Sequence, residues 1–233
     1  MMQEDGDGFG RMKPIDVALA VVVIGSVWGL SEVVLSSAIK AGGLPYRTGI
    51  LLGVGMLLMG FAIAAFRKPA MLVAAAVVAI LCKQLVVPIL HVSVLCKANS
   101  CLGVLLQGGG MAGLAYVAGR RLHRSYAVRI FAAAAAALLA RGTFYLIGMR
   151  LAPCNHLLSF NREGGFVTYT LLNSVPWLVL SAAAFPLGYW IGERAREPLF
   201  SWRAVRAPAF YAASLTAICA CWVACALVIS AGP

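Results

Sequence analysis

Seven stretches of this chain, approximately 15–39, 48–66, 70–92, 101–118, 127–149, 166–192 and 208–230, are apolar for about as long as a bilayer is thick. A helix of roughly 20 such residues, rising about 1.5 Å per residue, crosses the hydrocarbon layer, and no other use of so much apolar sequence leaves polar surface for a soluble domain. Composition agrees: 62% of the 233 residues are hydrophobic and 12% are charged, with a mean hydropathy of +0.90. The fold class expected is therefore an all-α integral membrane protein, a compact bundle of about seven transmembrane helices. A six-helix core would occupy 15–192, a basic cytoplasmic loop 193–207, and a seventh transmembrane helix 208–233. Residues 1–14 read as a short, polar, disordered cytoplasmic tail. The first apolar run is too long and too poorly flanked for a cleaved signal, so it is expected to be a retained helix.

The net charge of +11 comes from 19 Lys and Arg against 8 Asp and Glu. Sorted by connection, the bases fall unevenly. With the N-terminus inside, the cytoplasmic side holds Arg11, Lys13, Arg67, Lys68, Arg120, Arg121, Arg124, Arg129, Arg194, Arg196, Arg203 and Arg206, and the outer side only Lys40, Arg47, Lys97, Arg150 and Arg162. This bias predicts a multi-pass protein of the cell (inner) membrane with its N-terminus cytoplasmic and its C-terminus outside. The positive charge then reads as a topology signal that favours anionic lipid, with no nucleic-acid role.

Three charges stand inside the apolar runs, where each costs at least about 2.5–3.5 kcal/mol on insertion scales. They are Glu32 in "WGLSEVV", Lys83 and Arg141. In the expected topology all three lie past the middle of their spans, toward the outer face. Gln107 and Asn173 come early in the fourth and sixth spans and so reach the same depth. Five polar side chains from five helices predict a chamber near the outer face in which Glu32 pairs with Lys83 or Arg141 while the other cation and the amides contact a ligand. Trp28, in the same segment as Glu32, completes the candidate ligand set. The competing reading is an ion-pair network that only fixes helix packing. Pro88, Pro176 and Pro186 are expected to kink or loosen their helices, freeing carbonyls beside the chamber.

The outer connections, "KAGGLPYRTG", "HVSVLCKANSC" and "LAPCNHLLSFNREGGF", hold Cys96, Cys101, Cys154, His91 and His156. In an oxidising compartment Cys96 and Cys101 could form a disulfide. The same five residues would suffice for zinc or copper, although their spacing matches no finger or ribbon. Cys219, Cys221 and Cys225 in the last run read as small packing residues. Glycines four apart, Gly25 and Gly29, Gly49 and Gly53, Gly109 and Gly113, point to close helix approach within the bundle. No phosphate-binding loop, zinc-protease or nucleophile-elbow motif occurs, so neither an enzyme nor a cofactor is expected.

The phrases "GSVWGLSEVVL", "RKPAMLVAAAVVAILCKQLVVPI" and "ANSCLGVLLQGGGMAGLAYVAGRRL", set in short Gly/Ala-rich spans over roughly 15–192, resemble the substrate-binding S components of energy-coupling-factor (ECF) transporters. That resemblance implies a six-span core, a ligand pocket near the outer face, and pairing with a transmembrane coupling subunit and two cytoplasmic ATPases. The first helix of that family carries an Ala-x-x-x-Ala pattern; here Gly25 and Gly29 stand nearest to it, and the seventh span is additional. The functional expectation is a small-solute binding and uptake subunit for an anionic or zwitterionic, vitamin-like molecule. The alternatives are a membrane redox or metal-binding protein using the outer Cys and His residues, or a structural subunit of a larger membrane complex.

Overall fold

A computed structural model describes residues 13–44, 46–151, 155–172 and 174–231, with the side chains of 96, 155, 156 and 172 outside the description. Seven helical segments in it are long and apolar enough to cross a membrane, and the chain is an all-α, multi-pass membrane bundle. Helix α1 spans Pro14–Ala41. Pro14 opens it where a missing N–H costs nothing, and the Asp16 carboxylate accepts the Lys13 backbone N–H at 3.1 Å. A single π turn, Ser31–Leu35, interrupts α1 around Glu32.

Helix α2 is Arg47–Phe66 and α3 is Met71–Leu90. The α-helical pattern of α3 stops at Gln84 and resumes at Val86. Pro88 explains the break, since it lacks the N–H that would bond the carbonyl of Gln84. A 3-10 turn, Val94–Lys97, leads into α4, Ala98–Ala118. Then follow the short α5, Arg120–Arg124, the long α6, Tyr126–Leu151, and α7, Asn155–Leu158. The sixth crossing begins with Gly165–Val167 and a second π turn, Thr168–Leu172, and continues as α8, Val175–Val205. The last helix, α9, is Ala207–Ser230.

The sixth span departs most from the sequence expectation. The 193–207 segment is helical to Val205, leaving Arg206 as the hinge before α9. Apolar patterning ends near Ile191, but Glu193, Arg194, Arg196 and Glu197 are good helix formers and prolong the backbone ladder beyond the apolar stretch. Neither Pro186 nor Pro198 ends this helix.

Packing proceeds around a ring, α1 on α3, α3 on α4, α4 on α6, α6 on α8 and α8 on α2, closed by contact of α2 with α1. The α2–α8 contact is the most extensive. A Cβ on Gly188 would strike the Leu57 carbonyl, and one on Gly60 the Phe185 carbonyl, so the two backbones touch. Gly25 and Gly29 admit α3 in the same way, against Ala75 and Cys82, while Gly109 and Gly113 face open space. Trp28, Met56, Met59, Leu72, Met111 and Phe185 fill the interior, each almost fully buried.

Helix α9 lies outside the ring against α1. Trp222 Nε1 donates to Ser26 Oγ at 2.9 Å, and Tyr211 donates to Asp16 Oδ1 at 2.7 Å. Arg203, at the end of α8, pairs with Asp16 Oδ2 at 2.6 Å. Cys221 and Cys225 are buried, as expected of packing thiols, whereas Cys219 is exposed.

Candidate functional site

Three buried charges, Glu32, Lys83 and Arg141, sit at one end of the bundle, while the fourth among the described residues, Asp16, lies near the start of α1. Lys83 Nζ lies 2.7 Å from Glu32 Oε2, with both side chains less than 10% exposed. The ammonium also donates to Ser100 Oγ on α4. Two helices in contact, α1 and α3, thus bring the acid and base together, and the Glu32–Lys83 pairing expected from their common depth is present.

Arg141 has a different setting. It is 6% exposed, its guanidinium carbon lies 3.9 Å from the centre of the Tyr169 ring and 4.0 Å from that of Trp177, and Nε makes no hydrogen bond. Among the described residues no carboxylate pairs with it. Each desolvated guanidinium–ring contact is worth up to about 2 kcal/mol, while burying an unpaired ion costs several. The rings therefore offset part of the charge's cost and leave Nε without a partner.

Arg141 lines a cavity of about 340 Å³ between α1, α2, α4, α6 and the sixth crossing, together with Glu32, Ser36, Arg47, Thr48, Asn99, Ser100, Gly103, Gln107, Phe144, Tyr169 and Trp177, and with Leu51, Leu52, Val104 and Ala140 as its apolar wall. Its volume falls within the roughly 300–1,000 Å³ of small-molecule sites. Gln107 Nε2 donates to the Leu52 carbonyl at 2.8 Å, fixing the amide at the cavity wall. Asn99 Oδ1 is buried there without a partner, as is Thr170 Oγ1 next to Tyr169. Both π turns of the protein border this cavity, one through Glu32 and one through Tyr169, as such turns often do at functional sites.

A second cavity of about 330 Å³ lies on the other side of the ion pair. It shares Glu32, Ser36, Arg47 and Ser100 with the first and adds Lys83, Lys97, Val86, Leu90 and, from α9, Val228 and Ile229. Glu32 and Lys83 thus form a partition between two hollows.

The expected site residues divide accordingly. Glu32, Gln107 and Arg141 line the first cavity, and Lys83 reaches only the second. Trp28 lines neither: it is fully buried beneath Gln107, with its indole beside Gly55 and Gly108. Asn173 lies outside the described residues. Arg47, Asn99, Tyr169 and Trp177 escaped the sequence reading. Arg47 follows a loop and resembles any flanking base, and aromatic residues in a membrane helix carry no signal of which ring meets a cation.

The cysteine expectations are also revised. Cys101 is a free, buried thiol that accepts a 3.4 Å hydrogen bond from Gln84 Nε2, so it forms no disulfide with Cys96. The Gln84 amide also donates to the Val94 carbonyl, drawing the turn before α4 onto α3. Among the described residues no three His, Cys, Asp or Glu side chains gather as metal ligands; His91 is exposed at the end of α3, and the side chains of Cys96, Cys154 and His156 lie outside the description.

At the opposite end, His123 Nδ1 meets Tyr189 OH at 2.5 Å, and the Arg129 guanidinium stacks 3.7 Å over the Tyr189 ring. Burial, followed by the charges of Arg67, Arg129 and Arg196, holds the His123 imidazole below its ordinary pKa and so favours the neutral ring. Comparison with known protein families, curated proteins and solved structures finds no match to this chain.

Proposed function

We propose that this chain is a membrane-embedded, non-catalytic subunit that binds a small solute for uptake, in the manner of an ECF S component. In this reading its cavity end faces outward and its basic end the cytoplasm, as the charge bias implies, within the cell membrane. A transmembrane coupling subunit and cytoplasmic ATPases would supply the energy that its own sequence has no motif to harvest. The observation that carries the reading is Arg141, a buried guanidinium with no paired acid among the described residues, lining a cavity large enough for a small molecule.

Such an arrangement is costly for a purely structural network, because an unpaired buried cation weakens packing. It is economical for a binding site, where the missing partner arrives with the ligand. The redox and metal alternatives draw no comparable support, since Cys101 is engaged by Gln84.

Gly103 provides a direct test, because it lines the cavity and a Cβ placed there meets nothing within 4 Å. Gly103→Phe should fill the hollow without disturbing the fold. Protein purified in mild detergent and then denatured should release a bound solute detectable by mass spectrometry, and the Gly103→Phe and Arg141→Ala proteins should release at least tenfold less. Equal release from all three, or none from the wild type after incubation with cell extract, would remove the solute-binding reading.

A further inference from the structure

The charge inventory of the first cavity narrows the solute beyond an anion or zwitterion. Three ionic side chains line it: Glu32, Arg47 and Arg141. Glu32 is already neutralised by Lys83 at 2.7 Å. A ligand ammonium brought to Glu32 would stand beside a buried Lys83 ammonium held in place by Ser100, and like charges at such range repel strongly in a low-dielectric setting. Among the described residues no second acid lines the cavity to receive it.

The two guanidiniums are not neutralised in this way. Arg141 is buried against two rings, and its Nε is without a hydrogen-bond partner. Arg47 is exposed and borders both cavities from the first turn of the 20-residue α2. The positive end of that helix dipole adds to its charge. One cation is therefore buried and the other exposed. A planar guanidinium presents parallel N–H donors that match a carboxylate, and separate guanidiniums at separate depths match two separate carboxylates.

We propose that the cavity takes an organic dicarboxylate without a cationic group, with one carboxylate on Arg141 and the other on Arg47. The apolar wall of Leu51, Leu52 and Val104 accommodates the carbon skeleton between them. This assignment rests on the solute-binding reading and specifies its ligand. The Glu32–Lys83 pair is then a wall of the site and not a contact for charge on the solute.

The test uses the full chain in lipid nanodiscs, dialysed to equilibrium against an equimolar mixture of adipate, hexanoate, 6-aminohexanoate and 1,6-diaminohexane, with the retained compounds quantified by mass spectrometry. Adipate should be retained at least tenfold above 6-aminohexanoate and the diamine, with hexanoate between them. Arg141→Gln should abolish retention of both acids, and Arg47→Gln, an exposed position where folding is not at stake, should lower adipate to the level of hexanoate. Retention of 6-aminohexanoate equal to that of adipate, retention of none of the four, or indifference to both substitutions overturns the assignment. A wild-type protein that releases an ammonium-bearing solute, lost in Gly103→Phe, would keep the solute-binding reading and sink the dicarboxylate. Release of no solute would remove both.

Discussion

Glu32 and Lys83 answer each other's charge, whereas Arg141 is left to aromatic rings, and this difference has opposite consequences for stability. Removing one member of a buried pair strands the other, at a cost of about 3–5 kcal/mol, whereas replacing both by apolar residues of similar volume is often neutral. Glu32→Gln should therefore lower the stability of the bundle by about that amount, and Glu32→Leu combined with Lys83→Met should restore most of it. Reversible denaturant unfolding in detergent micelles measures both; a Glu32→Gln protein as stable as the wild type would show that the pair holds nothing together. The sequence made all three charges visible because each is expensive in lipid. It could not assign partners, since depth along a span leaves the azimuth of each side chain open, and a π turn at Ser31–Leu35 shifts that azimuth for everything beyond it.

At the scale of the helices, the same four-residue glycine spacing has different meanings in different places. Gly25 and Gly29 meet α3, but nothing lies within 4 Å of a Cβ at Gly109 or Gly113. In the close approach of α2 and α8, Gly188 and Gly192 stand four apart against Leu57 and Phe61, but Gly60, which meets Phe185, has no glycine four residues away on either side. Gly60→Val or Gly188→Val should force α2 and α8 apart and cost about 1–3 kcal/mol or more, as overpacking does. Gly109→Ala and Gly113→Ala should instead leave the unfolding midpoint unchanged or raise it, by up to about 1 kcal/mol of helix propensity each. Unfolding of the four variants under one condition checks the contrast. Spacing identifies small faces on single helices, but only the assembled bundle determines which of those faces has a neighbour. The seven spans themselves were legible from apolar length. The continuation of α8 to Val205 was not, because a helix ends where its hydrogen bonding ends rather than where its hydrophobicity does.

On the scale of the whole molecule, the first cavity belongs to the six-span ring and owes nothing to α9, which lines only the second through Val228 and Ile229. A chain ended after Arg206 should still capture the solute released from the full protein, with affinity changed less than about threefold. It should unfold more readily, because Ser26 loses Trp222 and Asp16 keeps Arg203 but loses Tyr211. Loss of capture in a truncated chain that remains folded would show that α9 shapes the site. Asp16 was the least legible residue of this group. It looks like an ordinary flanking acid at the start of a span, yet it is 2% exposed and joins three helices.

The two π turns also bear on how tolerant the spans are of change in length. Each is formally a one-residue insertion in an α-helix, accommodated without breaking the rod. In α1 it separates a half whose phase is set by packing, through Gly25 and Gly29, from a half whose phase is set by the cavity, through Glu32 and Ser36. Deleting one residue from 31–35 would collapse the π turn to an α turn and leave the two halves in phase, whereas deleting one on either side of it would keep an apolar count acceptable to a membrane and rotate one half against the other by about 100°. The span therefore contains an indexing joint: its hydrophobicity tolerates a shift in register, and its chemistry does not.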